Sequence, residues 1–105
     1  MKKGLILKDK LVIDKIFATG KSVSNSLIML KFIDSDESRF LFAVSSAKFK
    51  RAVDRNRIKR LMKESTRDLV TDMSGKSVAI VYRGVGVAKF EDVKKSIVEL
   101  VKRVK

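Results

Sequence analysis

The chain has 105 residues, 45% of them hydrophobic, and contains no cysteine, histidine, proline or tryptophan. That length suits one compact domain, and the lack of Cys and His excludes disulfides, Cys/His zinc sites, a Cys nucleophile and an imidazole general base. Twenty-five Lys and Arg against twelve Asp and Glu leave a formal charge of +13, whose self-repulsion in a folded state points to a polyanionic partner, nucleic acid first and an anionic membrane surface second.

The opening Met1-Lys2-Lys3-Gly4-Leu5-Ile6-Leu7-Lys8 carries the charges of a signal n-region, but its apolar run ends after three residues, short of an h-region. No stretch approaches the roughly 20 apolar residues of a membrane span, so a soluble, cytoplasmic protein is expected. Over residues 8–17, Leu11, Val12, Ile13, Ile16 and Phe17 follow a helical spacing that Gly20 ends. Residues 23–32 and 39–45 are rich in Val, Ile, Leu and Phe and flank the polar cluster Asp34-Ser35-Asp36-Glu37-Ser38, which predicts a β-hairpin.

Over residues 52–70 the period changes: Val53, Ile58, Leu61, Met62 and Leu69 fall on one side of a helix and Arg and Lys dominate the rest. Asp54 stands where it serves as a cap or a first-turn anion. Asp72-Met73-Ser74-Gly75-Lys76 reads as a loop, and Ser77-Val78-Ala79-Ile80-Val81-Tyr82 as a strand covered on both faces or central in its sheet. Phe90, Val93, Ile97, Leu100, Val101 and Val104 then recur at three and four residues, giving a C-terminal helix. The order helix, hairpin, helix, strand, helix predicts a single-domain α+β sandwich over 1–105, with no internal repeat.

Charge is concentrated between positions 48 and 63. Lys48, Lys50, Arg51, Arg55, Arg57, Lys59, Arg60 and Lys63 face only Asp54 there, a balance of +7 in sixteen residues. On the predicted helix Arg55, Lys59 and Lys63 share a face, with Asn56 and Arg60 beside them, so cations recur about one turn apart, as successive phosphates require. Guanidinium groups fork onto phosphates and stack on bases, and the Asn amide both donates and accepts. A merely solvated face interleaves acids as ion-pair partners; here acids are nearly excluded until Glu64.

The run Phe49-Lys50-Arg51-Ala52-Val53-Asp54-Arg55-Asn56-Arg57-Ile58-Lys59-Arg60-Leu61-Met62-Lys63-Glu64 resembles the arginine-rich signature of the bacterial ribonuclease P protein family. Ile16-Phe17-Ala18-Thr19-Gly20 is similar to that family's motif after its first helix, the strand ending Ser45-Ser46 to its strand before the signature, and Ile80-Val81-Tyr82-Arg83-Gly84 to its last strand. The resemblance implies the order α-β-β-β-α-β-α with a left-handed βαβ crossover. It implies a partner RNA that holds the active site and its magnesium, and joint removal of the 5′ leader from precursor tRNA. It assigns Lys48, Arg51, Arg55, Asn56, Arg57, Lys59, Arg60 and Lys63, with Lys50 in the same run, to the catalytic RNA. It assigns Ile13, Phe17, Met29 and Lys31 to a cleft for the single-stranded leader, with no catalytic or metal-binding residue on the protein and no obligate protein partner. Read from periodicity alone, Ile13 and Phe17 are core residues, and Met29 and Lys31 share one strand face. The chain departs from the family's pattern at Ile6, Ile13, Lys31, Phe42 and Ala47, so a less aromatic and more electrostatic leader contact is expected.

Three other readings meet the same residues. A self-sufficient nuclease needs clustered carboxylates, and the candidates Asp34, Asp36 and Glu37 are explained by a turn, Asp68 and Asp72 by a helix end. A ribosomal protein or RNA chaperone shares the basic helix and lacks only the signature's context. A membrane-surface protein would use the C-terminal helix, where Lys94, Lys95, Lys102, Arg103 and Lys105 flank the apolar stripe; the stripe is more simply the face that covers the sheet.

Overall fold

Apolar alternation along the strands sorts their residues onto two faces, and the helices follow those faces. The computed structural model describes residues 5–36 and 38–104. The N-terminal Met1 to Gly4, Glu37 of the acidic cluster and Lys105 of the C-terminal cations lie outside the described residues. Chain order is α1 (Lys10–Thr19), β1 (Lys21–Ser24), β2 (Ile28–Asp34), β3 (Arg39–Ala43), α2 (Ala52–Thr66), β4 (Lys76–Tyr82) and α3 (Phe90–Val104). The α-β-β-β-α-β-α order of the resemblance is the one observed.

The four strands form one sheet in the order β1-β2-β4-β3. β1 and β2 pair antiparallel, as do β2 and β4, while β3 runs parallel to β4. A parallel neighbour needs a crossover, and α2 supplies it. β4 is central, as its unbroken apolar run predicts; only Val81 and the terminal Lys76 are incompletely buried.

The predicted hairpin between residues 23–32 and 39–45 is not the one that forms. The hairpin lies inside the first segment, between β1 and β2, and β4 separates β2 from β3. Asn25 makes the turn: its side-chain oxygen accepts from the amides of Leu27 and Ile28, and its own amide donates to the Ile28 carbonyl. A turn built by one Asn side chain leaves the surrounding apolar pattern nearly continuous, which is why it reads as one strand. β3 also stops at Ala43, before Ser45-Ser46. The helix expected to reach position 70 ends at Thr66 and continues as 3-10 turns at Arg67–Leu69 and Thr71–Met73.

On one sheet face Ile28, Leu30, Phe32, Phe40, Phe42, Val78, Ile80 and Tyr82 meet Ile58 and Met62 of α2 and Val93, Ile97, Leu100 and Val101 of α3. The α3 stripe is thereby covered by the core from Val93 onward, while Phe90 at the start of the helix is 38% exposed. Val53, expected on the inner side of α2, is 66% exposed, and Leu11 of α1 is 80% exposed. Both stand in the first turn of their helix, ahead of the buried positions Ile16 and Ile58, so the spacing matches but the core begins further along. α1 crosses the other sheet face, where Ile16 is buried with Leu7 and Ala79. Asp9 caps α1 by accepting from the Leu11 amide at 3.0 Å.

Gly20 follows α1 where the chain turns into β1. A Cβ there would overlap the Ile16 carbonyl oxygen and stand 3.0 Å from that of Phe32, both backbone atoms that cannot swing aside. At Gly86 a Cβ would meet nothing within 4 Å. In urea unfolding, Gly20→Ala is therefore expected to cost about 2 kcal/mol, and Gly86→Ala to stay within about 0.5 kcal/mol of the parent. Equal midpoints for the two variants would contradict this packing.

Candidate nucleic-acid interface

α2 is anchored from beneath by uncharged groups. Ile58 and Met62 are fully buried, and Phe49, just ahead of the helix, packs edge-on against Tyr82 with ring centroids 5.8 Å apart. The buried hydroxyls of Ser65 and Thr66 donate to the carbonyls of Leu61 and Met62, so the inner side of the helix is satisfied within itself. The helix opens on Arg51, whose side chain makes no cap bond, and Asp54 is the acid of its first turn rather than its cap.

With that inner side settled, Val53, Asn56, Arg57, Arg60, Lys63, Glu64 and Arg67 face outward, at spacings of three and four residues that share one face. The row expected from sequence, Arg55, Lys59 and Lys63, is rotated to the flank: Arg55 and Lys59 are half-buried and Lys63 alone is exposed. Arg55 has a local task. Its guanidinium Nη1 donates to the carbonyls of Phe49 at 2.6 Å and Lys50 at 3.0 Å, tying the preceding loop to the helix. The Lys48 ammonium reaches the Arg83 carbonyl at 3.4 Å, and Lys50 and Arg51 are exposed.

Among the described residues the ion pairs join Lys76 to Asp34, Lys94 to Asp68 and Arg103 to Glu99. None involves a cation between positions 48 and 63. That stretch also produces a shallow concavity of about 480 Å³ lined by Val53, Asn56, Arg57 and Arg60. Arg67 extends the face by one turn. Its place three and four residues past Glu64 and Lys63 continues the helical spacing of the signature, a cue present in the sequence.

The second set of residues gathers on the α1 side of the sheet. The Lys31 ammonium donates to the Phe17 carbonyl at 3.2 Å and stands 5.7 Å from the centre of the Phe17 ring, which is 42% exposed. Met29 is on the same face of β2, opposite Val81, whose other neighbour is Ala43; all three are half-buried. α1 packs on this face around Ile16, Val12 and Ile13, and Met29, Val81 and Ala43 stay half-buried, with the Phe17 ring and the Lys31 ammonium side by side at the α1 end. Ile13 packs against the Leu7–Ile16–Ala79 cluster and is half-buried there. Val81 and Ala43 do not stand out in the sequence because an apolar run buried on nearly every residue hides which ones are left half-buried.

Where β4 ends, Arg83 ties the strand to the turn between β1 and β2: its amide donates to the Leu27 carbonyl at 2.7 Å, and its guanidinium to that of Asn25 at 2.8 Å. A separate concavity of about 620 Å³ is lined in part by Lys15, Lys21, Asp34, Lys76 and Arg103. Two of its cations are already paired, Lys76 with Asp34 and Arg103 with Glu99. The Lys76 ammonium holds the Asp34 carboxyl below its usual pKa through a hydrogen bond first and charge attraction second, so Asp34 serves a surface pair. Among the described residues no three His, Cys, Asp or Glu side chains converge as a metal site, and no helix is long and apolar enough to cross a membrane.

Comparison with known proteins agrees along the whole chain. The family model for Ribonuclease P matches residues 1–105. A ribonuclease P protein component of Exiguobacterium is 33% identical, covering 100% of this chain and 94% of the relative. One of Bacillus cereus is 35% identical over 98% and 93%. The fold is shared with the RNase P proteins of Staphylococcus aureus (TM-score 0.85, 21% identity, 98% and 97% covered) and Thermotoga maritima (TM-score 0.83, 24% identity, 95% and 97% covered). These matches set aside the ribosomal and chaperone alternatives: the chain belongs to the ribonuclease P protein family and is a protein component of bacterial type.

Proposed function

We propose that this protein binds the catalytic RNA of ribonuclease P through α2 and the loop before it, and the 5′ leader of precursor tRNA through the cleft between α1 and the sheet. The RNA, holding magnesium, would perform the cleavage, and the protein would contribute affinity and positioning, in the cytoplasm where precursor tRNA is made. One observation carries the reading: Arg57, Arg60, Lys63 and Arg67 point outward from α2 with no internal ion pair among the described residues. Unpaired cations on a rigid rod keep their full attraction for phosphates and release counterions on contact. Lys48, Lys50 and Arg51 extend that charge into the loop, and Arg55 supports it by holding the loop's carbonyls.

In the cleft, half-buried Met29 and Val81 offer an apolar floor, the exposed Phe17 ring a stacking surface, and Lys31 a cation for the backbone. Such a mixture suits single-stranded nucleic acid, whose bases stack while its phosphates seek positive charge. With Ile13 drawn into the α1 core, Phe17 is left as the aromatic ring of this site, and Lys31 sets its electrostatic character.

The deciding experiment is reconstitution with the cognate ribonuclease P RNA and cleavage of precursor tRNA at limiting magnesium. Protein plus RNA is expected to cut where either alone does not. Cutting by the protein with magnesium alone would place the chemistry on the wrong partner. In salt-dependent titrations, Arg57→Gln with Arg60→Gln should lower the slope of log affinity against log salt by about 1.8, near 0.9 for each phosphate no longer neutralised. An unaltered slope would remove α2 as the RNA site. Lys31→Glu should weaken binding of leader-bearing precursor about five- to tenfold while leaving leaderless tRNA unaffected, measured by competition between the two.

A further inference from the structure

The segment joining β4 to α3, residues 83–89, is shaped by a single side chain. The Tyr82 hydroxyl donates to the Gly86 carbonyl at 2.5 Å and accepts from the Ala88 amide at 3.0 Å. Burial pushes the pKa of that hydroxyl up, so at neutral pH it keeps the proton it donates. The same ring packs on Phe49, which ties this segment and the loop before α2 to one point.

So held, the segment leaves apolar groups in water. Val85 is 93% exposed, and Val87 and Phe90 are more than a third exposed. Between Val87, Phe90 and α2 runs a groove of about 400 Å³ lined by Arg57, Leu61, Val87, Ala88, Lys89 and Phe90. Among the described residues no acidic side chain lines it, although Glu91 and Asp92 follow directly in α3. Arg57 lines this groove and also the concavity on the outer face of α2, so the two surfaces are continuous. The Lys94 ammonium lies 6.0 Å from the centre of the Phe90 ring.

We propose that this groove seats an unstacked nucleotide of the RNA that α2 holds, its base against the Phe90 ring and its phosphates toward Arg57 and Lys89. The inference rests on the RNA-binding reading of α2 and adds to it a site for a splayed base. Charge complementarity selects the occupant, because an apolar floor rimmed by cations and free of acids matches the two parts of a nucleotide. Tyr82 holds the groove ready-made, so little ordering opposes binding.

The test is titration of the full chain with transcribed ribonuclease P RNA across a salt series. Phe90→Ala is expected to weaken binding about tenfold, as removal of one stacked base does, with the salt slope unchanged because no cation is removed. Phe90→Trp, which introduces the sole tryptophan of the chain, should keep the affinity and lose fluorescence as RNA saturates it. Val87→Glu, on the exposed segment and away from the core, should weaken binding at least as much through repulsion of phosphate. It decides the question if Phe90→Ala melts at assay temperature. Binding by Phe90→Ala, or by Val87→Glu in that event, within twofold of the parent overturns the groove and leaves the α2 interface standing. So does unchanged Phe90→Trp emission at saturating RNA. A parent dimer that Phe90→Ala converts to monomer would give the groove to a second copy, which also overturns it. Failure of the parent chain to bind the RNA removes the underlying reading itself.

Discussion

Uncharged packing beneath α2 is the constraint on which the rest depends. Along this helix like charges stand three and four residues apart, at Arg55 and Lys59, Arg57 and Arg60, and Lys59 and Lys63. Each such pair costs only a few tenths of a kcal/mol. Complete burial of Ile58 and of Met62 contributes roughly 1.5–3 kcal/mol apiece. Apolar contact therefore exceeds repulsion by several kcal/mol without any ion pair on α2 among the described residues. α3 is built differently, with Arg103 paired to Glu99 and Lys94 to Asp68, and its outward charge is partly neutralised.

That division of labour also explains why one arginine of the signature turns inward. The loop before α2 lacks strand or helix partners for the Phe49 and Lys50 carbonyls, and the Arg55 guanidinium satisfies both. Backbone groups near a core need partners, and a charged donor makes stronger bonds to them than a neutral one. Arg55 thus gives up reach toward a ligand and sets the position of Lys48, Lys50 and Arg51. Tyr82 does the matching work for the segment on the opposite flank of α2.

The sheet serves two purposes because its faces are covered unequally. Two helices, α2 and α3, close one face, while the short α1 closes only part of the other. A one-helix cover over four strands leaves an edge, and the half-buried Met29, Val81 and Ala43 occupy it. The end of β4 and the loop before α2 meet at Arg83 and Lys48, because β3 and β4 end and β2 begins at that side of the sheet.

Much was legible in the residues themselves. The three helices, the central strand, the acid-poor cationic segment and the family signature all rest on local spacing, composition and residue order, and each of these survives without knowledge of distant contacts. What could not be read locally was orientation and pairing. Asn25 bends the chain through hydrogen bonds of its own side chain, so the hairpin moved inside what reads as one strand. β4, more than thirty residues further on, inserts between β2 and β3 because its two apolar faces need cover on both sides. The helical period of α2 was plain, but the core contacts of Ile58 and Met62 decided which cations turned outward and drew Arg55 to the loop. Sequence alone determined the helices, the central strand and the charge along them, since these are properties of neighbouring residues. Only the tertiary structure decided which faces meet and which stay open, because burial depends on partners that the chain brings together from far apart.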